Sequence, residues 1–243
     1  MTDISGWNTV PSAPTAPPAA SAPADGSGRE RSTTPPPSDT PTFGAGEVAY
    51  ALSLTDGVAR MQAEKFLQVA PDFVTDQIAA LGASSLVARG ELLIEGDVLQ
   101  PRGALRLFIG VLQNAVRWTE IGLVNDDGVE AALYLQSSEL SIFLQPAAMS
   151  TWVMVVKAPE VADAAMLEQI VTSNVPRHPS GTAYFGTEVA GSEKTHFFVR
   201  PSASGDGRWD LADVEAPGDG LAEGVDTAAL RDRLRTLVEL PAA

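Results

Sequence analysis

The spacing of apolar residues changes near residue 116, and this change constrains the fold more than any other feature of the chain. Upstream, the apolar residues that mark one helix face are Leu105, Phe108, Ile109, Leu112 and Val116. Downstream, apolar and polar residues alternate through Trp118, which is the spacing of a strand. The pattern predicts a helix over residues 101–116 that begins at Pro101 and is followed directly by a sheet.

Four apolar stretches follow one another closely between residues 117 and 157 and favour an antiparallel meander. The segment "NDDG", residues 125–128, has the Asp-Gly step of a hairpin turn. The segments "GTAYFGTEVAG" and "KTHFFVR" predict two more strands, and alternation through Val48, Tyr50 and Leu52 predicts a short one. The fold class is α+β, with an antiparallel sheet of about 6–7 strands and helices grouped before and after it.

Helices are predicted both before and after the sheet along the chain. Thr55 or Asp56 caps a first helix, and a second begins at Pro71 with an inner face marked by Val74, Ile78 and Leu81. After the helix over residues 101–116, the segment "PEVADAAMLEQIVTSN" predicts a fourth helix, and "DTAALRDRLRTLVEL" predicts the last one. Residues 202–226, rich in Gly and Asp, are expected to form a loop that contains Trp209.

The first 43 residues differ in composition from the remainder. They consist mainly of Pro, Ala, Ser and Thr, and they lack apolar periodicity. Such a composition favours a disordered arm, because it offers little apolar area to offset the entropy of ordering. We therefore divide the chain into an arm, 1–43, and a single α+β domain or two small lobes, 44–243. Trp7 is a candidate partner-binding residue within the arm, since an aromatic side chain brings much contact area.

The charge of the chain bears on its partners. Its formal net charge is −15, and it has no run of Lys or Arg. A field of that sign repels phosphate backbones, so we expect no nucleic-acid partner. The acidity is expected to serve solubility, and the functional alternative is a basic partner surface. The sequence has no apolar stretch long enough to span a membrane and no secretory signal pattern, so we expect a cytoplasmic protein.

The usual reactive groups are absent from the sequence. There is no cysteine, and His178 and His196, the two histidines, lie far apart. No phosphate loop, dinucleotide motif or serine elbow occurs. The acidic segments 125–128 and 204–213 lack the ligand spacing of a calcium loop. We therefore predict no catalytic residue, no metal site and no cofactor, although carboxylates from separate strands could still converge into an enzyme site.

One stretch resembles the EspG family, which are cytosolic chaperones of type VII secretion in actinobacteria. The resemblance covers residues 71–157 and rests on an Ala-Arg-Gly turn, a glycine-bearing loop and a proline-started helix. The matching residues are Leu86, Ala88, Arg89, Gly90, Gly96 and Pro101, with Leu92 one place later than the leucine of the family. The resemblance implies a non-enzyme that binds the helical tip of a secreted substrate pair.

Three functions are thus open. The first is a non-enzymatic protein-binding adaptor or chaperone whose partner is another protein chain. The second is a structural or assembly component of a larger complex, tethered by the arm 1–43. The third is an enzyme of a type that the sequence does not reveal.

Overall fold

A nine-stranded antiparallel sheet organises the fold, in the strand order β1-β7-β6-β5-β4-β8-β9-β10-β11. The computed structural model describes residues 40–189, 191–205, 207–213 and 220–239. A separate hairpin, β2-β3, lies outside this sheet. No helix among the described residues is long and apolar enough to cross a membrane.

The first half of the chain contains most of the helices. Its elements are β1 Thr42–Gly44, α1 Ala45–Ser53, α2 Gly57–Leu67, α3 Asp76–Ala88, β2 Leu92–Glu95, β3 Val98–Pro101, α4 Gly103–Asn114, β4 Arg117–Asn125 and β5 Gly128–Gln136. The second half contains β6 Ser141–Ala147, β7 Thr151–Val156, α5 Asp163–Asn174, β8 Thr182–Val189, β9 Thr195–Pro201, β10 Trp209–Asp213, β11 Leu221–Val225 and α6 Thr227–Val238.

Two hydrophobic clusters lie on opposite faces of the sheet. The front face is the one that carries Trp118, whose cross-strand partner is Leu135, and α1–α4 pack against it over β1 and β4–β7. The back face carries Phe185 and its cross-strand partner Phe197, and α5 and α6 pack against it. Because successive side chains of a strand alternate in direction, β4 contributes to both clusters through Trp118 and Ile121.

The α+β class and the antiparallel sheet are confirmed, but the predicted strand count was too low. The segment predicted as a loop, 202–226, contributes β10 and β11, and Trp209 is buried rather than exposed in a loop. The Gly and Asp residues of this segment obscured two strands of five residues each. Short edge strands of this kind carry a weak periodic signal.

The strand predicted at Val48–Leu52 was wrong, because these residues lie in α1. Every residue from Glu47 to Leu52 is buried, so this helix has no exposed stripe. The apolar residues of a helix that is buried on all sides do not recur with a period of 3.6, so the alternation through Tyr50 predicted a strand instead.

Helix α3 packs through small residues, and the predicted inner face was wrong at Leu81, although Val74 packs against the core cluster as predicted. Leu81 is 66% exposed, whereas Ala79, Gly82 and Leu86 are buried. A Cβ on Gly82 would lie 1.9 Å from the carbonyl oxygen of Gly46 in α1. The two helices therefore cross at a distance that only glycine permits, and this crossing turns the larger side chains outward.

The predicted helix over residues 101–116 is present but shorter. Helix α4 begins at Gly103, because Pro101 still pairs with Leu92 in the hairpin. The carboxylate of Glu91 accepts a hydrogen bond from the Leu105 amide at 3.2 Å and so satisfies one free donor at the helix start. Among the predicted apolar positions, Val116 lies beyond the helix and is partly exposed.

The folded region extends into the segment that we assigned to the arm. Strand β1 pairs with β7, and Phe43 is fully buried. Its ring stacks on Phe108 of α4, with centroids 4.8 Å apart. The boundary predicted after residue 43 therefore differs from the structure, since Thr42 and Phe43 belong to the packed region. Trp7, the candidate partner-binding residue, lies outside the described residues.

Candidate functional site

The front face of the sheet is covered over only part of its width. Strands β8, β9 and β10 pack mainly against neighbouring strands, and β10 also packs against α6. Their front-face side chains are also absent from the core cluster under those four helices. The same strands are covered on the back face by α5 and α6. Among the described helices, α1–α4 cover the front face over β1 and β4–β7, and α5 and α6 cover the back face of β8–β10.

A register row crosses this half of the front face. Cross-strand partners in a sheet project to the same side, so one row can be followed from strand to strand. The row consists of Ala131, Gly122, Tyr184, Phe198, Ala212 and Leu221. We define the open half-face by the last four of these residues together with His196, which lies on the same face of β9.

Tyr184 and Phe198 form an aromatic pair at the centre of the open half-face. Both side chains are partly exposed, and their ring centroids lie 5.1 Å apart. Tyr184 lies over two glycines: a Cβ on Gly186 would come within 2.3 Å of its hydroxyl oxygen, and one on Gly122 within 3.6 Å of its ring. The glycines therefore let the tyrosine ring lie flat against the sheet.

The hydroxyl of Tyr184 is paired with a ring nitrogen. Its oxygen lies 2.9 Å from His196 Nδ1. Burial, together with the negative charge of Glu120, raises the pKa of Tyr184 to about 12. The phenol therefore stays protonated at neutral pH, so it serves as a hydrogen-bonding group and not as a general base.

One ion pair and one cation–π contact link α2 to the strands of the open half-face. Lys194 Nζ lies 2.6 Å from Glu120 Oε1 and 5.0 Å from the ring centroid of Phe66 in α2. Lys65 Nζ of α2 lies 2.5 Å from Glu188 Oε2 of β8. Helix α2 is therefore held beside the C-terminal end of β8, on the front face of the sheet, and it borders the open half-face.

The exposed stripe of α2 is apolar. Val58 and Met61 are 64% and 63% exposed, and they share the helix face of Lys65, which reaches β8. The buried face of α2 carries Ala63, Phe66 and Leu67. The open half-face thus has an apolar helix surface at its border, which sequence reasoning did not anticipate.

Glu188 should contribute to stability in a way that depends on pH. Burial by itself would raise its pKa, but the hydrogen bond from Lys65 and the charges of Lys65 and Lys194 hold the pKa below its ordinary value. A lowered folded-state pKa stabilises the fold above the unfolded value of about 4.3, and that stability is lost as pH falls through the folded value.

We therefore expect Glu188→Gln to flatten the loss of stability below about pH 5. Urea unfolding from pH 3 to 7 measures the effect, with Glu193→Gln, a change at an exposed glutamate, as the matched control. An equal loss of unfolding free energy at acid pH in wild type and Glu188→Gln would contradict this account of the ion pair.

A second polar cluster lies on the back face and joins the sheet to helix ends. Asp163 accepts hydrogen bonds from the Tyr134 hydroxyl and from Gln136 Nε2, the latter at 3.1 Å, and pairs with Lys157 at 3.2 Å. Gln136 also donates to the carbonyl of Val238, the last residue of α6. Burial and then the Asp163 hydrogen bond raise the pKa of Tyr134. The cluster anchors α5 and α6 to the sheet.

The two histidines lie in different settings. His178 Nδ1 is 3.9 Å from a carboxylate oxygen of Asp127, at the hairpin that the sequence had suggested as an acidic turn. His196 pairs with Tyr184 as described above. Within the described ranges, no group of three or more His, Asp or Glu residues is placed to hold a metal ion.

No protein-family model matches the chain, and no curated protein matches it in sequence.

Proposed function

We propose that this chain is a non-enzymatic protein-binding adaptor or chaperone whose open half-face receives a helix of another polypeptide. The observation that carries the proposal is the aromatic pair Tyr184–Phe198 on a part of the sheet that α1–α4 do not cover. A sheet face with large apolar side chains is stabilised when another element packs on it. In the described part of the chain no helix does so, and a partner element would supply that layer.

The shape of the surface favours a helix as the partner element. Small residues, Gly122 and Ala212, lie on either side of the aromatic pair in the register row, so the rings form a low ridge. Helix α2 borders the surface with Val58 and Met61 exposed. A helix with an apolar stripe can pack on the ridge and against α2 together, as helices do in apolar grooves.

The energetics of such contacts are suited to specific binding. Burying a side chain of the size of phenylalanine contributes roughly 1.5–3 kcal/mol, and aromatic residues at the centre of an interface often dominate its affinity. The Tyr184 hydroxyl and His196 add a polar pair that orients the aromatic ring. The surface therefore combines an apolar anchor with a fixed polar group.

The charge of the chain favours a basic partner. A net charge of −15 raises the rate at which a positively charged surface associates. Added salt should then slow association and leave dissociation nearly unchanged. The preference for a basic partner, together with the resemblance of residues 71–157 to the EspG family, favours a cytosolic chaperone that shields the helical tip of a secreted substrate.

The proposal is tested by a matched pair of variants. Phe198→Ser should weaken binding of polypeptides captured from the source cells at least tenfold, because it removes one ring of the aromatic pair. Phe143→Ser is the control, since Phe143 is also partly exposed but stacks on Tyr134 on the back face, with centroids 4.6 Å apart. Affinity is measured by surface plasmon resonance after circular dichroism confirms the folds. Equal affinity of wild type and Phe198→Ser would refute the proposal.

A further inference from the structure

The exposed face of α4 has an unusual charge for this protein. The helix, "GALRLFIGVLQN", contains no Asp or Glu, although the chain has a net charge of −15. A shallow groove of about 310 Å³ follows the helix and is lined by Pro101, Arg106, Ile109, Gly110 and Gln113. This is a surface without negative charge on an acidic molecule.

Arg106 contributes a positive charge that the fold does not use. Its side chain is exposed, and among the described residues it has no ion-pair partner. Arg102, one turn earlier, is paired with Glu95 at 3.1 Å. Arg106 is therefore available for a carboxylate from outside the chain, which a guanidinium can bind through two parallel hydrogen bonds.

Gly110 lies at the middle of the same face. It has ordinary helical geometry, and a Cβ at this position would meet no atom within 4 Å. A glycine inside a helix costs roughly 0.5–1 kcal/mol relative to alanine. The crossing with α1 explains why position 82 is a glycine, whereas nothing inside the described fold requires a glycine at position 110. Gly110 does allow the backbone of another molecule to approach the helix closely.

We propose that this face of α4 docks an acidic amphipathic helix of a partner polypeptide, and that the two helices cross at Gly110. A carboxylate of the partner pairs with Arg106, and an apolar side chain packs on Leu107, which is 40% exposed. A second copy of this chain that presented the same face is disfavoured as the occupant, because α4 contains no Asp or Glu that could pair with Arg106. The surface is separate from the open half-face, so the inference does not depend on the proposed function.

The probe is a set of 18-residue synthetic helical peptides with the same leucine stripe and with Glu, Gln or Lys at the flanking positions. Fluorescence anisotropy should show the Glu peptide binding wild type at least tenfold more tightly than the Lys peptide. Arg106→Gln and Gly110→Leu should each weaken the Glu peptide at least fivefold. Phe198→Ser should leave its affinity unchanged, which separates this site from the open half-face.

Three results would overturn the inference. The first is a Glu peptide that binds no better than the Lys peptide. The second is wild-type affinity in both Arg106→Gln and Gly110→Leu, with folding of each checked by circular dichroism. The third is a dimer of the wild-type chain in sedimentation velocity that Gly110→Leu converts to a monomer, because that result would assign the face to a second copy.

Discussion

Replacing Gly82 with alanine is expected to lower the free energy of unfolding by about 3 kcal/mol or more. The added Cβ would lie 1.9 Å from the Gly46 carbonyl oxygen and 2.8 Å from the Glu47 amide nitrogen. Both neighbours are backbone atoms of α1, a helix with six consecutive buried residues, Glu47–Leu52. The clash can be relieved only by moving a helix whose surroundings are close-packed.

Gly110→Ala is the matched control for this prediction. It makes the same chemical change in a helix where the new Cβ meets nothing within 4 Å. We expect it to raise stability by roughly 0.5–1 kcal/mol. Chemical unfolding of both variants gives the comparison, and a loss below about 1 kcal/mol for Gly82→Ala would contradict the close crossing of α1 and α3.

Replacing Phe108 with alanine is expected to cost about 3–5 kcal/mol. Phe108 is fully buried in the front-face core, and its ring stacks on Phe43 of β1 at an interplanar angle of 15°. The substitution leaves a cavity at the point where the first strand is held against α4. It therefore weakens both the core and the attachment of β1.

Leu107→Ala is the matched control, because it shortens the neighbouring side chain in the same helix at a position that is 40% exposed. We expect a loss of less than about 1 kcal/mol for this control. Urea unfolding followed by tryptophan fluorescence measures both variants. Similar losses for the two would mean that Phe108 is not a core residue, in disagreement with the structure.

The regular elements of the fold were predictable where one side of an element is polar. Helix α4 has a strong one-sided apolar stripe, and β4–β7 alternate with turns between them, so both were predicted from spacing alone. In helix α1 six consecutive residues are buried, so its apolar residues show no one-sided helical spacing. The short strands β10 and β11 lie in a segment whose Gly and Asp residues favour turns.

The candidate site could not be predicted in the same way. Alternation places Tyr184 and Phe185 on opposite faces of β8, but it does not say which face is covered. That depends on where α1–α4 end on the sheet, which is set by tertiary packing. The close α1–α3 crossing at Gly82 likewise turned Leu81 outward, contrary to the apolar stripe in the sequence.

Hydroxyl-radical footprinting of the chain, alone and with a captured polypeptide, tests the central claim most directly. The reactivity of Tyr184 and Phe198 should be lower in the complex than in the free chain, because the partner helix covers the open half-face. Phe185 and Phe197, which are buried under α5 and α6, should stay unreactive in both states. Unchanged reactivity of Tyr184 and Phe198 in the complex, with protection elsewhere on the chain, would contradict the account.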